Sequence, residues 1–373
     1  MIRLSRPYAD MRWKLGTKLY RGRSIIKLEA VSFGGLIPNE LAWPAVGLSI
    51  SDSLGRRRNP VIGSAHSAAD TPSTSRLLAA PAAPSPRAAK VPPHGLAAEA
   101  LNNLSDEQVE YQVRDRLSFS RFLGLAIEDS IPDATTLWLF REKLAKAGLI
   151  EQLFDRFDQH LAAKGYMARG GQIIDASIVL VPTQRNSRDE NAELQAGRTP
   201  AGWKQKPAKV RQKDRDARWT KKHGRSFFGY KNHVNADTKH KLIRHYAVTD
   251  AAVHDSQELD GLLDMGNTCN DVFADSAYRS AEIESKLRAS GYNSRIHRRG
   301  RRNHPLSLAQ VRVNHAKSRI RARIEHVFGA QQNAPGGRIV RTIGIMRARA
   351  KIGLQNLAYN IRRLVTLERL AAA

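Results

Sequence analysis

Gln172-Ile173-Ile174-Asp175-Ala176-Ser177 and Val272-Phe273-Ala274-Asp275-Ser276-Ala277-Tyr278 are the two stretches that decide the fold of this chain. Each is a short apolar run of strand character that reaches an aspartate, the pattern that projects a carboxylate from the end of a buried strand. A third acid, Glu325, lies in Arg321-Ala322-Arg323-Ile324-Glu325-His326-Val327-Phe328. Around it Ile320, Ile324, Val327 and Phe328 recur at i, i+4, i+7 and i+8, so the segment reads as a helix whose stripe packs on the sheet. Arg321, Glu325 and Gln332 share the neighbouring face. Singly, such acids are more often caps or halves of ion pairs, and an exposed Arg321–Glu325 pair at i, i+4 is worth about 0.2–0.5 kcal/mol. Together, three carboxylates on elements able to converge predict a divalent-metal site. Hard oxygen ligands suit magnesium, and a pair of such ions suits phosphoryl transfer.

Between the two aspartates, a polar stretch over 183–226 carries many Lys and Arg residues, among them Lys221, Lys222 and Arg225, and two tryptophans, Trp203 and Trp219. Basic residues interleaved with aromatics suit a loop lying on phosphates and bases, and they equally suit a solvated insertion. Two strands, 227–235 and 242–249, then form a hairpin about Ala236-Asp237-Thr238-Lys239. Lys231 and His233 fall on one face of the first, available either to DNA or to a structural role. A short helix leads to the Asp275 strand, followed by a helix at 281–290, a strand at 293–297, and helices over 315–332 and 347–370. His254-Asp255 reads as a helix start, since no serine or cysteine nucleophile accompanies it. This order predicts a mixed α/β sheet with flanking helices over 169–373.

Upstream, residues 99–168 predict a small helical domain that either binds DNA or caps the core. Ser105-Asp106-Glu107-Gln108 matches a capping box, Pro132-Asp133-Ala134-Thr135-Thr136 a second helix start, and Leu149, Leu153, Phe154, Phe157 and Leu161 one face of a third helix. Residues 1–98 differ. From Ser49 to Pro93 the chain is dominated by Ala, Pro, Ser and Arg with no period of 3.6 or 2, which predicts a largely disordered region, either native or the product of a frame shift or misassigned start.

Charge names the partner. A net charge of +26 over 373 residues and a pI near 10.6 call for a polyanion, with nucleic acid the natural candidate and a generic basic protein the bland one. Near Met1 there is no secretory h-region, and no apolar run is long enough to span a membrane. The single cysteine, Cys269, excludes an internal disulfide and multi-cysteine zinc sites, in keeping with a reducing cytoplasm.

With these strings in order, and with Phe228-Gly229-Tyr230-Lys231-Asn232-His233 and His254-Asp255-Ser256 beside them, the chain from about Leu101 resembles the DDE transposases of bacterial insertion sequences, in the IS4-like and IS5-like group. The resemblance implies an RNase H-like core, Asp175, Asp275 and Glu325 as catalytic metal ligands, and Mg²⁺, with Mn²⁺ able to substitute. It also implies cleavage at the element's ends with strand transfer into target DNA, double-stranded DNA as partner, a homo-oligomer on that DNA and a bacterial nucleoid-associated location. Of the family's helix signature only the arginine is present, as Arg321, for which a DNA-backbone role is implied. Ser318 and Gln332 stand where the family has tyrosine and lysine. A host endonuclease on the same core, and a decayed transposase retaining only DNA binding, remain the alternatives.

Overall fold

The structure, a computed structural model, describes residues 94–334 and 339–373. The irregular region expected over 1–98 therefore lies outside the described residues up to residue 93. From His94 the chain is already helical. That early start rests on small apolar residues, Leu96 and Ala98, whose burial against neighbouring helices no strong amphipathic period announces.

Six strands make one sheet: β1 (Gln172–Leu180), β2 (Arg218–Lys222), β3 (Arg225–Asp237), β4 (Ile243–Asp250), β5 (Asp271–Phe273) and β6 (Asn293–Ser294). The antiparallel strand β3 joins β1 to β4, while β5 runs parallel to β1 and β6 parallel to β5. The main path is thus β4-β3-β1-β5-β6, with β2 paired to the outer half of β3. This is the RNase H-like order, its second strand antiparallel to its neighbours.

Among the described residues five helices precede the sheet: α1 (His94–Asn102), α2 (Asp106–Asp115), α3 (Leu117–Leu123), α4 (Ala134–Lys146) and α5 (Leu149–Ala163). Ser105 and Gln108 form the anticipated capping box on α2, and Asp133 caps α4 by accepting from the Thr136 N–H. These helices divide. Val109, Val113, Leu123 and Leu137 from α2, α3 and α4 make a small core of their own. Phe154, Phe157 and Leu161 of α5 instead join the core of the sheet.

The insertion after β1 is more ordered than a loop. It forms α6 (Arg188–Gln195), α7 (Ala201–Lys204), α8 (Pro207–Gln212) and then β2. Trp203 is buried, its indole N–H donates to Glu190, and Lys209 pairs with the same carboxylate at 2.8 Å. Helices of eight, four and six residues are too short to show a period in sequence, which is why the stretch reads there as a loop.

The remaining helices are α9 (Leu259–Leu262), α10 (Ala281–Ala289), α11 (Leu308–Arg321), α12 (Arg323–Asn333) and α13 (Ile345–Ala371). Consecutive residues of β1 point to opposite layers. Ile173 packs with Val234 and Phe273 against α5, Ile324, Val327 and Phe328 of α12, and Leu357 and Leu364 of α13. Ile174 packs with Val272 against Leu259 and Leu262 of α9 and Leu287 of α10. The sheet is therefore covered on both faces. No helix among the described residues is long and apolar enough to cross a membrane.

Candidate active site

In the β1–β5 pairing Gln172 stands opposite Val272 and Ile173 opposite Phe273. That offset equals the separation of Asp175 from Asp275, and the Asp275 backbone is extended. The two aspartates consequently lie level on adjacent strands, about 5 Å apart in the hydrogen-bonding direction. By alternation they share the face of Ile173 and Phe273, the face that α12 covers.

Each carboxylate has one oxygen engaged by the backbone. Asp175 Oδ1 accepts from the Ala176 N–H and Asp275 Oδ1 from the Ala277 N–H, each at 2.8 Å. The Asp275 bond caps a 3₁₀ turn, Ser276–Tyr278. Asp175 Oδ2 pairs with Arg321 Nη2 at 3.4 Å. Burial drives the Asp175 carboxyl up and the Asp275 charge adds to that, while Arg321, the Ala176 N–H and Lys222 oppose it, leaving it at about 6. Tyr278 is fully buried, with no hydrogen-bond partner for its hydroxyl. Burial first, then Asp175, Asp255 and Asp275, hold that hydroxyl protonated. Asp255, read in sequence only as part of a helix start, thus stands in the same electrostatic neighbourhood. His254 does cap the turn that follows, accepting from the Ser256 N–H.

Two neighbouring carboxylates, the Asp275 charge adding to the proton affinity of Asp175 and each with an oxygen not held by the backbone, fit a hard divalent cation. The third ligand is not brought to them. Glu325 is exposed in the first turn of α12, and among the described residues no group of three His, Cys, Asp or Glu side chains is close enough to hold a metal ion. The expected convergence is therefore of Asp175 with Asp275, with Glu325 apart. A break at Ala322 separates α11 from α12, and Arg321 turns to Asp175 instead of to Glu325. α12 itself is firmly seated. Gln331 donates to Asn356 Oδ1 of α13, and Asn356 and Asn232 of β3 exchange side-chain hydrogen bonds. Ser318, in place of the tyrosine, lies 3.0 Å from His297 Nε2.

The basic residues separate by face. Val234 and Asn232 face α12 and α13, so Lys231 and His233 face away from Asp175. Lys231 Nζ donates to the Val253 carbonyl at 2.6 Å and pairs with Asp255 at 2.8 Å. His233 is buried beside Thr249 Oγ1, and burial lowers its pKa to about 4. Lys231 is thereby a tie within the far layer and not a free cation at the carboxylates. Lys221, Lys222 and Arg225 are exposed on the β2–β3 hairpin, turned by His223 and Gly224 in the left-handed region. A straight β3 would carry Arg225 about 30 Å from Val234, the residue opposite Asp175. Lys222 nevertheless bears on Asp175.

Residues 167–361, just over half of the chain, match the transposase DDE domain, and residues 94–143 match a second transposase domain (DUF772). Among solved structures the chain is similar to the piggyBac transposase in its synaptic complex with hairpin DNA, at 10% identity and a TM-score of 0.38. That match covers 74% of this chain and 66% of the other, so the chain spans just under two thirds of that transposase. The chain belongs to the DDE transposase family.

Proposed function

We propose that this protein is an insertion-sequence transposase of the IS4/IS5-like group, one that binds the terminal inverted repeats of its element and catalyses Mg²⁺-dependent cleavage and strand transfer. The observation that carries this reading is the level placement of Asp175 and Asp275 on adjacent parallel strands of an RNase H-like sheet. Asp175 and Asp275 would hold the ion, with Glu325 the third carboxylate of the family reading. A bound divalent cation supplies charge neutralisation at the scissile phosphate. The protein's own groups do the rest. Arg321, once released from Asp175, and Lys222 on the β2–β3 hairpin hold the phosphate backbone, with Lys221 and Arg225 beside them. The substrates are the element's ends and target DNA, engaged by a homo-oligomer at the bacterial nucleoid.

The test uses the intact chain and duplexes carrying the inverted repeats that flank the gene. Asp175→Ala, Asp275→Ala and Glu325→Ala are each expected to lower Mg²⁺-dependent cleavage by about three orders of magnitude, with repeat binding kept, because affinity comes chiefly from Lys and Arg contacts to phosphate. Unimpaired cleavage by the Asp275→Ala protein, or footprints indifferent to the repeats, would overturn the reading.

A further inference from the structure

We infer that the pocket between the β3–β4 turn, α12 and α13 is a second duplex-DNA contact, in which Lys241, Arg362 and Arg363 seat a backbone phosphate away from the metal-binding carboxylates. The inference rests on the DNA-binding part of the proposed function. The cavity measures about 260 Å³, and none of the residues lining it is acidic. Lys241 enters it from the turn, His326 and Gln331 from α12, and Arg362 and Arg363 from α13. Arg363 Nε donates to the His240 carbonyl at 2.7 Å. Among the described residues no ion pair engages Lys241 or Arg362, whereas Arg141, Arg244, Arg347 and Lys351 each have a carboxylate beside them.

These cations also repel one another. Burial, Arg363 and Arg323 each disfavour the charge on Lys241, and burial disfavours that on Arg362. Gathering like charges without a counter-ion lowers stability unless an anion from outside completes the site.

The backbone supplies an independent observation. Lys241 has φ +60°, whereas the other non-glycine residues in the left-handed region, Asn103 and His223, are of types that tolerate it better. The strained turn is held from both sides. Asp237 accepts from the His240 and Leu242 N–H groups at 2.7 and 3.1 Å, and Tyr359 donates to the Lys241 carbonyl at 2.7 Å. Glycine or asparagine would fill the position with less strain, and the lysine in its place brings an ammonium group to the pocket.

Duplex DNA is the occupant that fits the location. His326 lines the pocket, and Glu325 precedes it on α12. Asp175 stands opposite Val234, and the turn begins three residues further along β3, on the order of 10 Å away. That is comparable with the ~12 Å width of a major groove, so one duplex reaches both.

The experiment is the salt dependence of duplex binding, read by fluorescence anisotropy on the intact chain carrying Lys241→Asn with Arg362→Gln; asparagine keeps the left-handed turn accessible. The slope of log K against log salt is expected to flatten by about 0.9 for each phosphate no longer neutralised, with roughly tenfold weaker binding at 0.1 M salt. The cleavage rate at saturating DNA should hold, and the thermal midpoint should stay level or rise as like charge and backbone strain are relieved. An unchanged slope in the folded variant overturns the inference while leaving the proposed function standing. A flattened slope in a chain whose cleavage ignores Asp175 and Asp275 supports the pocket and sinks the transposase reading. A wild-type chain that binds no duplex overturns both. If the double variant does not fold, Arg362→Gln alone should still flatten the slope by about 0.9, and an unchanged slope there overturns the inference.

Discussion

Arg321, the last residue of α11, places its Nη2 3.4 Å from Oδ2 of Asp175 on the central strand. In the free protein the guanidinium therefore occupies the side of the carboxylate that Asp275 shares. The same arginine that sequence offers to a phosphate is here the counter-charge of Asp175. Its pairing with a residue 146 positions away, and not with Glu325 one turn on, couples the helical cover to the sheet.

Arg321→Ala removes the largest influence that lowers the Asp175 pKa. The carboxyl should then titrate about one unit higher than its present value near 6, because a neighbouring opposite charge ordinarily accounts for 1–3 units. Arg321→Lys should restore most of the shift. Carboxyl-carbon NMR of the metal-free protein checks this, and a titration midpoint unmoved by Arg321→Ala would show that the pair is incidental.

Asp175 also sets a pH dependence whose sign follows from its raised pKa. Between the ordinary value of 3.8 and about 6 the folded protein binds the proton more tightly than the unfolded chain, so this group's contribution to stability falls as pH rises through that window. Asp175→Asn should abolish the slope and stabilise the metal-free protein at pH 7 by about 2 kcal/mol, less than the pKa displacement alone implies since Arg321 loses its partner. Denaturant midpoints from pH 4 to 7 measure both. Divalent-ion affinity should climb with pH below about 6 and level off above it.

Gly229 has φ +156°, and a Cβ built there would collide with the backbone carbonyl oxygen of Val179. Backbone cannot yield as a flexible side chain can, so Gly229→Ala should cost about 3 kcal/mol or more. Urea unfolding of the purified variant decides it. A change within about 0.5 kcal/mol would mean that β1 and β3 separate freely at this point.

Neutralising Lys221, Lys222 and Arg225 together should flatten the salt dependence of duplex binding by up to about 2.7, since each contact to a phosphate contributes about 0.9. Lys231→Gln, by contrast, should leave that slope alone and lower the thermal midpoint, because its ammonium is held by Asp255 and the Val253 carbonyl. Paired titrations at several salt concentrations separate the two. An unchanged slope in the triple variant would make the hairpin a solvated feature only.

Some of this architecture is legible locally. The apolar runs before Asp175 and Asp275 form strands, the Ile320-Ile324-Val327-Phe328 stripe packs on the sheet, and Ser105 and Asp133 cap their helices. These features depend on side-chain period and on hydrogen bonds within a few residues, which any chain displays in order. Other features are not legible. β2 and the three short insertion helices leave no measurable period, and the hairpin at Ala236–Lys239 announces a turn without its strained lysine at 241.

What the sequence by itself determined is three acids set on strand-like and helix-like runs and an overwhelmingly positive charge, whereas β1 runs on past Asp175 to Leu180 instead of ending there. What only the tertiary structure decided is which of them meet. The parallel register makes a separation in sequence into a side-by-side pair at Asp175 and Asp275, while a break at Ala322 leaves Glu325 exposed and sends Arg321 across to the strand. The face turned by Lys231 and the gathering of Lys241, Arg362 and Arg363 arise in the same way. Local propensity encodes the direction of each side chain from its own element. Distances between elements are set by packing and by strand register, and those are properties of contacts far apart in the chain.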